Sequence, residues 1–225
     1  MELEAFLAGL AAWADEREPG FETVAYGEHP DQVADVRRGG SRTAIVVHGG
    51  FWRPAFTRAN TRAIAVDLAL KGWTSWNVEY RRTGLADTLA DVEAVLDITG
   101  PGVALGHSAG GHLVLWASGT GKIDKAVSLA GVTDLARAAL EGIGAGAAVE
   151  FAGPDPPADA DPMRRLPLTV PVLLAHGTED DRVPFDYSRA FAAASGAELL
   201  TLPGAGHFDV IDPRTPEWAL ISARL

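Results

Sequence analysis

The chain has 225 residues, a length at which a single folded domain, residues 1–225, is expected. Hydrophobic residues make up 47% of it and charged residues 22%, which excludes disorder for most of the chain. The formal net charge of -11 has the wrong sign for binding nucleic acid or an anionic membrane, so neither is an expected partner. The lack of cysteine excludes disulfides, thiolate metal sites and a cysteine nucleophile.

Residues 1–13 predict an amphipathic helix, because apolar residues such as Leu3, Phe6, Leu7 and Leu10 are interspersed with acidic ones. A secretory signal begins with basic residues and has a longer apolar stretch. No stretch of the chain approaches the roughly 18 to 20 apolar residues that span a bilayer. We therefore expect a soluble cytoplasmic protein.

The pattern along the chain indicates an α/β fold with a mostly parallel sheet. Two short strands, 20–27 and 32–37, predict an antiparallel hairpin at a sheet edge. Beyond them, short β-branched runs alternate with segments of helical periodicity, which is typical of parallel strands joined by crossover helices. The predicted strands are 43–48, 74–80, 102–106, 125–130, 171–175 and 197–202. The predicted helices are 57–71, 86–98, 109–118, 186–194 and 215–225.

One segment interrupts this alternation. Residues 141–165 are rich in Gly, Ala, Pro and Asp and show no strand pattern. We expect a small insertion there, lying over one face of the sheet.

The strongest motif is Gly-His-Ser-Ala-Gly-Gly at residues 106–111, between an apolar run and a helical run. In that context a G-x-S-x-G pattern indicates a sharp strand-to-helix turn that exposes the serine hydroxyl. The glycines leave room for the turn, and the helix N-terminus places positive partial charge beside the oxygen. Ser108 is therefore the candidate nucleophile, and a bystander serine in a glycine-rich turn is the alternative.

A second motif, His-Gly-Gly-Phe-Trp at residues 48–52, follows the apolar run 44–47. Acyl transfer places negative charge on a carbonyl oxygen, and glycine lets backbone N–H groups approach that oxygen closely. Gly50 and Phe51, with Ala109 after the serine, are the predicted donors of an oxyanion hole. Trp52 beside them is the predicted substrate-binding residue.

A serine nucleophile needs a base to take its proton. Six histidines compete for this role. His107 and His112 flank the serine and are expected to point away from it or along the helix. His207 lies in a glycine-flanked loop after the last predicted strand and can reach the serine from there, so it is the predicted base.

The base in turn needs a carboxylate that orients it. Asp180, in the turn after strand 171–175, is the favoured candidate, whereas Glu179 and Asp181 are expected to be solvated or paired with Arg182. The resulting chain order of Ser, Asp and His is the one expected for a nucleophile on such a turn. No metal-ligand spacing and no phosphate-binding glycine loop is present, so we predict neither a metal nor a cofactor.

Together these motifs resemble those of the α/β-hydrolases, and within that fold the kynurenine formamidase-like and small carboxylesterase-like members. The resemblance covers nearly the whole chain and also includes residues 77–81, Asn-Val-Glu-Tyr-Arg. It implies a central sheet with helices on both faces, a catalytic triad of Ser108, Asp180 and His207, and an oxyanion loop at residues 49–52. Formamidases of this type have His-Gly-Gly-Tyr-Trp, so Phe51 keeps the ring and loses the hydroxyl.

The sequence thus predicts a serine hydrolase that cleaves a small ester or amide with a short acyl group through an acyl-enzyme. An N-formyl arylamine such as N-formylkynurenine is one such substrate. A prolyl-type peptidase with the same triad is one alternative, although related peptidases usually carry an extra domain that gates peptides. A non-catalytic ligand-binding relative is the other, although such proteins characteristically lose a triad member. The expected partner is a small-molecule substrate. A monomer and a homodimer are both compatible with the sequence.

Overall fold

The computed structural model describes residues 3–225, and its framework is one mixed sheet. The strands are β1 (Glu22–Ala25), β2 (Val33–Arg37), β3 (Arg42–Val47), β4 (Trp73–Val78), β5 (Val103–His107), β6 (Lys125–Leu129), β7 (Val172–Gly177) and β8 (Glu198–Leu202). Their spatial order is β1-β2-β4-β3-β5-β6-β7-β8. β2 pairs antiparallel with β1 and β4, and every other pairing is parallel. The predicted edge hairpin and the parallel strands are confirmed.

The helices within residues 3–225 cover both faces of the sheet. They are α1 (Leu3–Arg17), α2 (Arg62–Leu70), α3 (Leu85–Thr99), α4 (Ala109–Ala117), α5 (Leu135–Glu141), α6 (Ile143–Ala152), α7 (Asp186–Ser195) and α8 (Pro216–Ser222). The helix predicted from residue 1 extends to Arg17, and its first two residues lie outside the described part. No helix between residues 3 and 225 has the length and apolarity needed to cross a bilayer.

Two helical segments differ from the sequence prediction. The helix predicted over 57–71 begins with a 3₁₀ turn, Arg58–Thr61, before α2. α5 was not predicted, and α6 lies inside the segment 141–165, which contains no strand. The glycine-rich sequence of α6 hides its helical character, since Gly144, Ala145 and Gly146 have positive φ angles and only the part after them is regular helix.

The alternation of side chains along the strands divides the core into two layers. On β3, Ala44 and Val46 face the layer that contains residues of α1, α2 and α8. Ile45 and Val47 face the opposite layer, built with residues of α3, α4 and α7. Phe151 of α6 belongs to that second layer, so the segment 141–165 packs over one face as expected.

The parallel arrangement brings the candidate functional loops to one rim. The carboxyl ends of β3, β5, β7 and β8 lie along the same edge of the sheet, because neighbouring parallel strands run in the same direction. The loops that follow them contain Gly50, Ser108, Asp180 and His207, respectively. Ligands of open α/β sheets bind at this carboxyl rim.

Candidate active site

Ser108 lies at a sharp turn between β5 and α4. Its backbone has φ 54° and ψ -116°, a left-handed conformation that costs free energy for any residue with a side chain. Its N–H donates to the carbonyl of Leu129 at 2.9 Å, and its own carbonyl accepts the N–H groups of His112 and Val132 at 3.3 Å. These three hydrogen bonds hold the strained turn in place.

Glycines make room for this turn. A Cβ atom on Gly106 would lie 2.0 Å from the carbonyl oxygen of Gly110, and one on Gly110 would lie 2.2 Å from the carbonyl oxygen of Val47. Both contacts are with backbone atoms, which cannot swing aside. The strand and helix can therefore approach each other closely enough only because neither position has a side chain.

Asp180 and His207 are hydrogen-bonded to each other. His207 Nδ1 lies 2.7 Å from Asp180 Oδ2, and both side chains are almost fully buried. The second carboxylate oxygen, Oδ1, accepts the backbone N–H groups of Arg182 and Val183 at 2.8 Å. The structure therefore places a fixed carboxylate behind the imidazole, with His207 Nε2 on the opposite side of the ring.

The environment of Asp180 keeps it ionised. Burial by itself would raise its pKa, but hydrogen bonds from His176 and His207 outweigh burial and hold the pKa well below its usual value. The neighbouring acidic residues Glu179 and Asp181 are exposed, as expected. Asp181 forms an ion pair with Arg182 at 3.4 Å.

Ser108 and His207 line the same cavity at the rim of the sheet. It encloses about 490 Å³, counted out to its open mouth, within the usual size range of small-ligand sites. Its walls are mostly apolar. Besides Ser108 and His207, the lining residues are Leu3, Leu7, Gly49, Gly50, Phe51, Phe56, Asn60, His107, Arg182 and Phe208. The candidate nucleophile and base thus face a common space that a small substrate can enter.

His107 does not point away from this site, contrary to expectation. Its Nε2 donates to the backbone carbonyl of His207 at 2.9 Å, and the two rings lie 4.6 Å apart. Burial, and next the charge of His207, lower the pKa of His107 to about 3, so it stays neutral. His107 therefore supports the loop that carries the candidate base. His112 lies along α4, as expected, and donates to the carbonyl of Ala160.

The predicted oxyanion loop forms a tight turn beside Ser108. The N–H of Arg53 donates to the carbonyl of Gly50 at 3.0 Å, and the two residues between them, Phe51 and Trp52, both have φ 54°. Within residues 3–225, the N–H groups of Gly50, Phe51 and Ala109 donate to no backbone carbonyl. The three predicted donors therefore have no backbone partner among the described residues.

Trp52, the predicted substrate-binding residue, does not line this cavity but lines a neighbouring one that Phe51 also lines. It is buried, and its ring stacks on Phe151 of α6 at 4.6 Å between centroids. The turn directs the neighbouring side chain, Phe51, into the cavity instead. The aromatic residue beside the candidate oxyanion donors is thus Phe51, and Trp52 anchors the loop to the insertion.

Sequence reasoning missed a buried network that supports this loop. His48 Nε2 lies 2.8 Å from Glu79 Oε1, and the hydroxyl of Tyr80 donates to the carbonyl of His48 at 2.9 Å. Burial would raise the pKa of Glu79, but its hydrogen bond with His48 and the charges around it lower the pKa to about 2. The motif at residues 77–81 was a signal of this network, although its partner in the loop could not be identified from it.

The fold and this arrangement of loops define the chain as an α/β-hydrolase. The prolyl oligopeptidase family matches residues 86–218, more than half of the chain. The chain belongs to that family.

Solved structures with the same fold include a candidate thioesterase from Silicibacter sp. TM1040, with a TM-score of 0.79, 22% identity and coverage of 98% of this chain and 94% of that one. Esterase 2 of the planctomycete Thermogutta terrifontis has a TM-score of 0.72 and 22% identity, with coverage of 92% and 89%. A truncated carbohydrate esterase from gut microbiota has a TM-score of 0.75 and 17% identity, with coverage of 93% and 96%. No curated protein matches the sequence.

Proposed function

We propose that this protein is a serine hydrolase that cleaves small esters with a short acyl group. One observation carries the proposal: the hydrogen-bonded pair of Asp180 and His207 lies at the cavity that Ser108 also lines. The chain's family, and the esterases among the structures that share its fold, support the same reaction class. No cofactor and no metal enters the proposed reaction.

The proposed reaction follows from the position of each group. His207 Nε2 takes the proton of the Ser108 hydroxyl as the oxygen attacks the acyl carbon of the ester. The negative charge that develops on the carbonyl oxygen is stabilised by the N–H groups of Gly50, Phe51 and Ala109. Asp180 keeps the His207 proton on Nδ1 and stabilises the charged imidazolium.

The tetrahedral intermediate then collapses. The C–O bond to the leaving group breaks, and His207 returns the proton to the departing alkoxide, which leaves as the alcohol. Water attacks the acyl-enzyme with His207 again as base. This second step releases the carboxylic acid and restores the Ser108 hydroxyl.

Replacement of the nucleophile tests the proposal. Ser108→Ala is expected to lower kcat on p-nitrophenyl acetate by about a millionfold, because nucleophile and base act as a unit. A fluorophosphonate probe should add one adduct to the wild-type protein, at Ser108, and none to this variant. Ser195→Ala, at the end of α7, is the matched control and should behave as wild type. Retention of a tenth of the activity in Ser108→Ala would show that the assignment is wrong, and an unlabelled wild type would favour a ligand-binding relative.

The cavity favours short acyl groups. Phe51 and Phe56 from the oxyanion side and Phe208 from the histidine loop enclose it, and the two α1 leucines that line it complete the apolar wall. Formyl and acetyl groups are therefore the proposed acyl groups, and an N-formyl arylamine such as N-formylkynurenine is a proposed amide substrate. We expect a much higher kcat/KM on p-nitrophenyl acetate than on the octanoate. The reverse preference would contradict this part of the proposal.

A peptidase acting after proline is the second candidate, because the family to which the chain belongs is named for such enzymes. A panel of N-formylkynurenine, short aryl esters and a prolyl peptide under one set of conditions separates the candidates. We expect cleavage of the esters to dominate. Preferred cleavage of the prolyl peptide would replace the esterase proposal with the peptidase one.

A further inference from the structure

A second histidine shares the carboxylate that orients the candidate base. His176, at the end of β7, is fully buried, and its Nε2 lies 3.0 Å from Asp180 Oδ2. This is the same oxygen that His207 Nδ1 approaches at 2.7 Å. Two imidazoles therefore bind one carboxylate oxygen.

The partners of His176 fix which of its nitrogens carries the proton. Nε2 also lies 2.9 Å from the carbonyl oxygen of Val183, and a carbonyl and an ionised carboxylate can only accept hydrogen bonds. Nε2 must therefore be protonated. Nδ1 lies 2.7 Å from the hydroxyl of Ser188 on α7, and this hydroxyl can donate to the Nδ1 lone pair. The Ser188 hydroxyl thus complements the tautomer that donates to Asp180.

The hydrogen bond from His176 completes the set of donors around Asp180. Oδ1 accepts two backbone N–H groups, and Oδ2 accepts one N–H from each imidazole. Each donor to a carboxylate stabilises its negative charge and reduces its attraction for a further proton. A carboxylate with four donors therefore fixes the tautomer of His207 while its negative charge is shared among all four hydrogen bonds.

We propose that His176 is a positioning residue that acts through Asp180, and that its hydrogen bond weakens the attraction of this carboxylate for the imidazolium form of His207. This inference rests on the proposed function, because it assumes that His207 is the general base. The inference does not depend on which substrate the protein cleaves.

The other charged groups around Asp180 do not provide the same hydrogen bond. His107, on β5, bonds to the His207 carbonyl and not to the carboxylate. Asp181 and Arg182 pair with each other, with side chains 74% and 46% exposed, and Glu179 is exposed as well. Asp209, on the histidine loop, accepts the N–H of Gly206. On the α7 side, Ser188 is uncharged. His176 is thus the second side-chain donor to Asp180 among the described residues.

Two amide substitutions separate the hydrogen bond from the bulk of the ring. The side-chain amide of His176→Gln reaches about as far as Nε2 and can still donate to Asp180, whereas that of His176→Asn reaches only about as far as Nδ1. The measurement is kcat/KM on p-nitrophenyl acetate as a function of pH, since its acid limb reports protonation of the general base in the free enzyme. His29→Asn, in the exposed turn before β2, is the control for loss of a histidine.

We expect His176→Asn to move the acid limb to higher pH by about half a unit or more, because Asp180 with one donor fewer stabilises the imidazolium of His207 more strongly. Its activity relative to wild type should therefore recover as the pH rises. His176→Gln and His29→Asn should keep the wild-type limb. A merely structural role would lower the activity of His176→Asn by the same factor at every pH.

The inference is overturned by a uniform loss in His176→Asn, by an acid limb that stays in place or moves to lower pH, or by an equal shift in His176→Gln. If thermal melting shows that His176→Asn is unfolded, His176→Leu takes its place, because leucine fills much of the volume of the ring and cannot donate to Asp180. That variant should show a shift in the same direction, and an unmoved limb in it would overturn the inference. Activity in Ser108→Ala would instead contradict the proposed function. Failure of the inference about His176 can therefore be distinguished from failure of the proposed function.

Discussion

At the scale of single residues, the site depends on backbone conformations that few residues adopt. Ser108, Phe51 and Trp52 all have positive φ angles near 54°. Non-glycine residues in this region cost of order 1–3 kcal/mol each and persist only where surrounding contacts hold them. Such contacts exist here: three backbone hydrogen bonds hold Ser108, and the stacking of Trp52 on Phe151 holds the turn at residues 50–53.

Gly106→Ala tests how closely the strand and helix must approach at Ser108. The new methyl group would lie 2.0 Å from the carbonyl oxygen of Gly110, so the turn must open to accept it. We expect a loss of about 1–3 kcal/mol in the free energy of unfolding, the usual cost of overpacking, together with a marked loss of kcat. Urea denaturation and ester hydrolysis measure the two effects.

The same substitution at Gly9 provides the control. Gly9 lies in the middle of α1, and a Cβ there would meet only the flexible end of Arg214, at 3.2 Å. Alanine is the better helix former, so Gly9→Ala should leave stability unchanged or raise it by up to about 1 kcal/mol. Equal effects of the two variants would show that the turn at Ser108 is not tightly packed.

The sequence predicted those features of the site that depend on local patterns along the chain. Ser108, Asp180 and His207 each follow a recognisable strand, and parallel strands bring their carboxyl ends to one rim, so their proximity could be predicted. The direction of a side chain within a turn could not. The side chain of Phe51 lines the cavity beside Ser108, whereas Trp52 stacks on Phe151 of α6, and neither the local φ angles nor this stacking partner is encoded in the motif.

At the scale of secondary-structure elements, α1 forms part of the cavity wall. Leu3 and Leu7 line the cavity, and the ring of Phe6 packs against Phe208, next to the candidate base, at 5.7 Å between centroids. The amphipathic pattern of α1 predicted a helix with one buried face. It could not show what that face covers, because the contact joins the first residues of the chain to a loop two hundred residues later.

Leu7→Ala tests whether α1 limits the length of the acyl group. Removal of the side chain enlarges the cavity, and the added space can accommodate methylene groups worth about 1–3 kcal/mol each in a hydrophobic pocket. We expect the ratio of kcat/KM on p-nitrophenyl hexanoate to that on the acetate to rise at least several-fold. A series of p-nitrophenyl esters of increasing length measures the change.

Leu10→Ala is the matched control, one turn further along the same helix. Leu10 is only 3% exposed and packs in the core without lining the cavity, so its loss should cost about 2–5 kcal/mol of stability. It should leave the acyl-length preference unchanged. If both leucine variants shift the preference alike, the effect comes from loosening of α1 and not from the wall it provides.

The segment 141–165 shows where element prediction fails. Its glycines and alanines have neither the apolar periodicity of a buried helix nor the β-branched residues of a strand, so the sequence indicated only an insertion. The structure forms α6 there because Ala147, Ala148 and Phe151 are buried against the core. Tertiary packing thus determines a helix whose intrinsic signal is weak.

At the scale of the whole molecule, several buried groups resist protonation. Burial lowers the pKa of His107 to about 3 and that of His112 to about 4, against 6.5 for a free histidine. Glu79 has its pKa lowered to about 2 from 4.5, since its hydrogen bond with His48 and nearby charges outweigh the effect of burial, and the pKa of Asp180 is lowered as well. At each of these groups the unfolded chain therefore binds more protons than the folded protein when the pH lies between the folded and the unfolded pKa.

This difference fixes the direction of the pH dependence of stability. A group whose pKa is lower in the folded state stabilises the fold fully above its unfolded value, and this stability is lost as the pH falls through the folded value. We expect the free energy of unfolding to decline from about pH 6.5 downward as the two histidines titrate in the unfolded chain, and more steeply below about pH 4.5, where Glu79 adds its contribution. Urea denaturation at a series of pH values measures the curve.

The contribution of His112 to the pH dependence of stability can be measured separately. Its Nε2 donates to the carbonyl of Ala160, and a glutamine can retain that hydrogen bond without titrating. His112→Gln should flatten the curve between about pH 6.5 and 4 by up to roughly 1.4 kcal/mol per pH unit, the value for one proton. His29→Gln, at an exposed position, should leave the slope at its wild-type value. A wild-type slope in His112→Gln would mean that this imidazole titrates in the folded protein much as it does in the unfolded chain, contrary to its burial at the centre of the fold.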